Sequence, residues 1–76
     1  MKTAQYIPTE LDLKGWGFIR NNKLKAEYSL LINRTYIIYM DDLHTWFLEP
    51  ENAIASIQIF PSSIYEVAHM IDLLKR

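Results

Sequence analysis

Apolar and polar residues alternate with a period of two through the middle of this chain and with a period of 3.6 near its C-terminal end. Between residues 24 and 33 every second position is apolar, with Leu24, Tyr28 and Ile32 among them. This alternation is typical of a β-strand that turns one face to a core and the other to solvent. Residues 35–40 read Thr-Tyr-Ile-Ile-Tyr-Met and are apolar on both faces, which predicts a strand in the centre of a sheet.

Three further runs rich in aromatic and β-branched residues predict strands, at residues 16–20, 44–48 and 53–60. The two alanines of the last run also allow a helical start, but its isoleucines and the proline that follows it favour a strand. Turn-forming residues separate the predicted strands, at positions 21–22, 33–34, 41–42 and 49–52.

Capping patterns predict a helix near each end of the chain. A helix is expected over residues 63–75, because its first residue and Glu66 form an S-x-x-E capping box. Its apolar residues recur at the helical period and form one stripe: Ile64, Val67, Ala68, Ile71 and Leu74. Near the N-terminal end, Thr9 and Asp12 form a weaker version of the capping box, and Gly15 is expected to end this helix after one or two turns.

These elements predict an α+β fold in one domain that spans residues 1–76. The short connections favour an antiparallel four- to five-stranded β-meander, with the short N-terminal helix and the C-terminal amphipathic helix packed on one face. A helix of about 13 residues is only about 20 Å long, so the helices cover one face of the sheet and not both. Residues 36–40 are apolar at odd and even positions alike. Either the second face is a surface for self-association or for a partner, or the sheet curls around its own core.

The composition narrows the class of protein. The chain has 50% hydrophobic and 22% charged residues and a net charge of -1, which fits a globular domain and neither a polycation nor an acidic tail. It has no cysteine, which excludes a disulfide framework, a thiolate nucleophile and a cysteine-based zinc site. No apolar run approaches the roughly 18 residues of a membrane span, and residues 1–5 lack the apolar stretch of a signal peptide. We therefore expect a cytoplasmic location and no membrane contact.

The strongest candidate for a chemical site is the turn at residues 41–44, Asp-Asp-Leu-His, extended by Glu49 or Glu51. Carboxylates and imidazole bind divalent metals, but adjacent aspartates between two strands are first of all turn formers. With two glycines in all, the chain has no phosphate-binding loop. None of its serines follows the G-x-S-x-G pattern of a nucleophile. We therefore expect a protein that is not an enzyme and that binds no metal or cofactor.

The charges are distributed unevenly along the chain. Residues 14–34 carry five basic residues and one acidic residue, whereas residues 35–76 carry two basic and six acidic residues. This distribution reflects either pairing within a solvated surface or an electrostatically complementary docking surface. The basic residues are also interleaved with Trp16, Phe18 and Tyr28, an arrangement that suits stacking on single-stranded RNA.

Without a catalytic site, the sequence favours a binding protein that docks on a larger host protein or ribonucleoprotein. Aromatic residues and arginine dominate the energetic centre of protein interfaces, and basic residues steer the encounter. The residues expected to contact the partner are the aromatic and basic ones of the central region: Trp16, Arg20, Lys23, Lys25, Tyr28, Arg34, Tyr36, Tyr39 and Trp46. The alternatives are a small RNA-binding module that uses the same basic and aromatic residues, and a structural homodimer.

Several of these features together resemble the small orphan proteins encoded by phages and prophages of AT-rich bacteria. They are the Ile/Asn/Lys/Tyr bias without cysteine, the short capped helix that ends in Gly15-Trp16-Gly17-Phe18, the Tyr/Trp-rich meander and the amphipathic helix Ile64–Leu74. The resemblance covers the whole chain and assigns a function to no single residue. It implies a protein of the bacterial host cytoplasm that works by binding, a class that includes inhibitors of host defence nucleases such as anti-CRISPR proteins.

Overall fold

The computed structural model describes residues 6–21 and 27–76, and in these residues it contains two helices and one five-stranded sheet. The elements follow the chain in the order α1 (Glu10–Trp16), β1 (Ile19–Asn21), β2 (Glu27–Ile32), β3 (Thr35–Met40), β4 (Thr45–Pro50), β5 (Ile57–Ile59) and α2 (Ile64–Leu74). Each strand pairs antiparallel with the next, so the strand order is β1-β2-β3-β4-β5. This confirms the predicted α+β fold, with β3 in the centre of an open meander.

The hairpin between β2 and β3 fixes the register of the sheet. Asn33 and Arg34 have φ angles of 46° and 67°. Two consecutive residues in the left-handed region form the two-residue turn that matches the twist of a β-hairpin. The turn places Ile32 directly opposite Thr35. The side chain of Asn33 also donates a hydrogen bond to the backbone carbonyl of Leu74, which ties this turn to the end of α2.

Both helices pack on the same face of the sheet, here called the covered face. Trp46 and Tyr39 are fully buried at its centre, and their ring centroids lie 4.8 Å apart. Leu13 of α1, together with Val67 and Ile71 of α2, closes the core from the helix side. The remaining buried apolar residues of this cluster are Phe18, Tyr28, Ile32 and Ile37. The core therefore lies between the sheet and the helices and uses one face of the sheet.

The segment before α1 is held across this core by Tyr6. Its ring stacks on Trp46 at 6.1 Å between centroids, and its backbone carbonyl accepts a hydrogen bond from the indole Nε1–H at 3.2 Å. Its backbone N–H donates to the carbonyl of Pro61 at 2.9 Å. The Tyr6 hydroxyl donates to a carboxylate oxygen of Asp12 at 2.6 Å, and this hydrogen bond lowers the pKa of Asp12. Burial in turn raises the pKa of Tyr6.

The end of α1 differs from the prediction. The predicted capping box forms at its N-terminus, but the helix continues through Gly15 and ends at Gly17. Gly17 has a φ of 96°, in the left-handed region that glycine adopts without a steric cost, so it is the residue that can terminate the helix. Trp16 therefore belongs to α1, and the strand predicted over residues 16–20 is replaced by β1 at Ile19–Asn21.

The C-terminal helix lies where the sequence predicts it, but the stripe that it buries is narrower. Two of the five predicted stripe residues, Ile64 and Ala68, face solvent. Val67 and Ile71 are buried in the core, and Met70 and Leu74 pack against it. A short helix on a sheet touches it along one narrow line, and these positions, spaced three and four residues apart, lie on that line.

The last two strands form where the sequence predicts them, but with different bounds. β4 begins at Thr45 because His44 has a φ of 51° and therefore belongs to the preceding turn. β5 covers only Ile57–Ile59, whereas the prediction covered residues 53–60. β5 thus forms a short edge strand that pairs with β4 over three residues.

Candidate binding surface

The face of the sheet opposite the helices, here called the open face, is the candidate functional surface. Residues paired directly across an antiparallel sheet lie on the same face. The pairing places Ile38 between Ser29 of β2 and Phe47 of β4, on the face opposite to Ile37. The apolar residues of the open face, assigned in the same way, are Ile19, Leu31, Tyr36, Ile38, Met40 and Phe47.

In the part of the chain that the structure describes, nothing covers the open face. Ile19 and Leu31 are 69% and 48% exposed, and the four other apolar residues of the face are partly exposed. Because β1 and β5 lie at opposite edges, the sheet does not curl around a core of its own. A contiguous exposed apolar patch is a candidate site of interaction. Of the two alternatives left by the sequence, the sheet curled around its own core is wrong, and a surface for self-association or for a partner stays a prediction.

Acidic side chains flank the open face. Glu49 projects from the face itself, and Asp41 and Asp42 lie in the turn between β3 and β4. At the opposite end of the sheet, the guanidinium of Arg34 forms an exposed ion pair with Glu51 at 3.3 Å, which leaves little net charge there. The charge beside the open face, as far as the described residues define it, is therefore mainly negative.

Three of the predicted contact residues lie in the core. Tyr39 and Trp46 are fully buried on the covered face, and Tyr28 is 7% exposed beside them. Their side chains cannot reach a partner while the domain is folded, which corrects the prediction for these three residues. For Tyr39 the pattern of β3 does not tell which side faces the helices, because this strand is apolar at nearly every position.

The other predicted contact residues do not form one surface. Trp16 lies at the end of α1, Arg20 on the edge strand β1, and Arg34 in the β2–β3 turn. Among the predicted residues that the structure describes, only Tyr36 lies on the open face. The remaining two predicted residues lie outside the described part of the chain: Lys23 and Lys25.

Most of the apolar residues of the open face were not among the predicted contacts, although the sequence contains a signal for them. In β2 the polar residues Glu27 and Ser29 alternate with apolar ones and so define which side faces outward. The two-residue turn then pairs Ile32 with Thr35, so the residues of β3 that face outward are those paired with the outward-facing residues of β2. The residues that this signal assigns, directly or through pairing, are Ile19, Leu31, Ile38, Met40 and Phe47.

The turn considered as a metal site is instead hydrogen-bonded to the core. Nδ1 of His44 lies 3.1 Å from the hydroxyl of Tyr39. Burial raises the pKa of Tyr39 to about 12, and the nearby charge of Asp41 acts in the same direction. Within residues 6–21 and 27–76, no three acidic or imidazole side chains converge in a way that could hold a metal ion.

Comparison with known proteins does not assign a function, since no family model, no curated protein and no solved structure matches this chain. Among the described residues, no helix has the length and apolar character needed to cross a membrane.

Proposed function

We propose that this chain is a non-enzymatic binding protein that docks on a larger partner protein through its open face. The observation that carries the proposal is the uncovered apolar patch on one side of a sheet whose other side already holds the core. The resemblance to phage and prophage proteins supports a host defence protein or ribonucleoprotein as the partner. In that case the chain acts as an inhibitor of the anti-CRISPR type.

The size of the open face supports a larger partner over a second copy packed face to face. Strands lie about 4.8 Å apart and six residues extend about 20 Å, so the face measures roughly 20 Å by 20 Å, or about 400 Å². A standard protein interface takes about 800 Å² from each partner. Two open faces packed together would therefore form a weak dimer, whereas a larger partner can also contact the flanking turns.

The centre of the contact is expected at the aromatic residues of the open face. Phe47 and Tyr36 lie on neighbouring strands, and aromatic side chains dominate the energetics of interfaces. The flanking carboxylates of Asp41, Asp42 and Glu49 favour a partner that presents Lys or Arg around an apolar patch. Added salt should weaken the association, because exposed charges are screened.

The RNA-binding alternative receives less support. Of the aromatic residues expected to stack on bases, Tyr28 is buried in the core. Acidic side chains beside the open face would repel the phosphate backbone, since nucleic-acid surfaces need positive charge. Capture of partners with and without nuclease distinguishes an RNA partner from a protein partner.

The proposal is tested by capturing partners from a bacterial host lysate with and without nuclease, identifying them by mass spectrometry and measuring binding with the purified partner. Phe47→Ser should weaken binding about thirtyfold, because truncation of an interface hot spot costs about 2 kcal/mol or more. Tyr65→Ser is the matched control, since Tyr65 is an exposed aromatic residue on α2, away from the open face. Equal effects of the two changes, or loss of every partner after RNase treatment, would overturn the proposal.

A further inference from the structure

The two edges of the sheet differ in the residue that each presents to a new strand. In an antiparallel ladder, the main-chain groups of successive residues point alternately toward one neighbouring strand and toward the other. The two-residue turn makes Ile32 and Thr35 a hydrogen-bonded pair, and the register carries this alternation across the sheet. It follows that Arg20 in β1 and Gln58 in β5 direct their backbone N–H and C=O groups away from the sheet.

The β1 edge is protected against pairing with a second copy. Its outward residue is Arg20, an exposed cation whose guanidinium lies 5.8 Å from the centre of the Tyr28 ring. Antiparallel pairing centred on this residue would place two arginines directly opposite each other, and like charges in that position are destabilising. Charged side chains on edge strands are a common protection against unwanted pairing.

The β5 edge lacks this protection. Residues 52–65, which contain β5, form the longest stretch of the chain without Asp, Glu, Lys, Arg or His. Large apolar side chains in this stretch are exposed, with Ile57 at 63%, Phe60 at 69% and Ile54 fully exposed. An uncharged edge strand with exposed apolar residues is a template for pairing with another strand.

We propose that β5 pairs antiparallel with β5 of a second copy of this chain, about a two-fold axis at Gln58. The backbone N–H of Gln58 in each copy would then donate a hydrogen bond to the backbone C=O of Gln58 in the other copy, which makes the contact self-complementary. Residues 52–65 contain no charged residue, so no like charges within this stretch oppose the pairing of two copies. Because Arg20 protects the other edge, the association closes at a dimer and does not continue into a fibre.

The pairing has a consequence for the surface proposed above for partner binding. A two-fold axis perpendicular to the sheet joins the two sheets into one with ten strands, with all helices on one side and both open faces on the other. The combined open face then measures about 800 Å², the contribution of one partner to a standard interface. This consequence rests on the proposed function, whereas the pairing of the β5 edges does not.

The pairing is tested by measuring molar mass as a function of concentration by analytical ultracentrifugation. The wild-type chain should approach twice the monomer mass, and Gln58→Lys should remain monomeric, because it places two cations opposite each other at the axis. Gln58→Thr is the matched control, since it keeps a neutral residue suited to a strand and should still dimerise. A wild-type chain that stays monomeric, or a Gln58→Lys variant that dimerises as well as the wild type, would overturn the proposal.

Hydrogen exchange locates the contact. The backbone N–H of Gln58 should exchange more slowly as the wild-type concentration rises, while that of Ile59, which faces β4, should not change. Leu31→Ser separates this proposal from partner docking, because Leu31 lies on the open face in β2, three strands away from β5, and its change should leave the dimer intact. A dimer that Leu31→Ser disrupts and Gln58→Lys does not would show face-to-face association and contradict the edge pairing.

Discussion

Trp46 and Phe47 are neighbours on β4, yet Trp46 is fully buried on the covered face and Phe47 is partly exposed on the open face. Both faces of the central strands carry large apolar side chains, so composition does not distinguish them. The difference comes from the helices, which bring Leu13, Val67 and Ile71 to one side only. Burial in this sheet is decided by the elements that pack on a strand and not by the hydrophobicity of the strand.

The two faces therefore contribute to different equilibria. Removing apolar surface from water stabilises a state by about 25 cal/mol per Å². On the covered face this gain is realised when the domain folds. On the open face the exposed part of each side chain remains in water in the folded monomer, and its contribution becomes available only when a partner covers it. Substitutions on the covered face should reduce stability, and those on the open face should mainly reduce binding.

The largest effect is expected from Trp46→Ala on the covered face. It removes the largest fully buried side chain, which should lower the free energy of unfolding by about 3–5 kcal/mol. This is a large part of the 5–15 kcal/mol typical of a whole domain. Urea denaturation monitored by far-UV circular dichroism measures the loss.

The neighbouring substitution Phe47→Ala completes this comparison. Because Phe47 is already partly exposed, its truncation should cost about 1 kcal/mol or less. Equal losses for the two variants would mean that the open face is buried in solution and would break the distinction between the faces. That result would indicate that the chain associates through its open face at the concentration of the measurement.

The sequence predicts the architecture of this molecule well because its signals are local. The alternation in β2, the Asn33-Arg34 turn and the cap of α2 each specify their own element, and a meander joins such elements in chain order. The strand ends are predicted less well. His44 adopts a positive φ and Gly17, not Gly15, ends α1, and these choices depend on how the chain must turn to reach its next contact.

The candidate site is predicted less well than the fold because it depends on which face the helices cover. Aromatic character identifies Tyr36, Tyr39 and Trp46 equally, but only Tyr36 lies on the open face. The phase of β3 is inherited from β2 through the hairpin, so it becomes visible only when the two strands are considered as a pair. Aliphatic residues such as Ile38 are not distinguished from core residues by their type.

A second comparison, on α2, sharpens the distinction between covered and exposed positions. Ile71→Ala should lower the free energy of unfolding by about 2–5 kcal/mol, because Ile71 is 5% exposed in the core. Leu73→Ala is the matched control on the same helix, where the side chain is 49% exposed, and it should change stability by about 0.5 kcal/mol or less. An unchanged melting temperature for Ile71→Ala would contradict the packing of α2 on the covered face.

Among the substitutions of buried residues, the smallest effect at neutral pH and the most informative pH dependence are expected from Tyr39→Phe at the centre of the covered face. The change keeps the ring and removes the hydroxyl that bonds to His44, which should lower the free energy of unfolding by about 0.5–1.5 kcal/mol.

Burial raises the pKa of Tyr39 from 10.0 to about 12 in the folded chain. The neutral phenol is therefore stabilised by folding, and this contribution is complete below pH 10.0 and is lost as the pH rises toward about 12. The wild-type chain should consequently lose stability above pH 10.0 more steeply than the variant, so that the difference between them narrows. Urea denaturation across this range measures it, with Tyr65→Phe on the solvent side of α2 as the control. A difference that stays constant into the alkaline range would mean that the Tyr39 hydroxyl is reached by water and that the covered face is less tightly closed than its packing indicates.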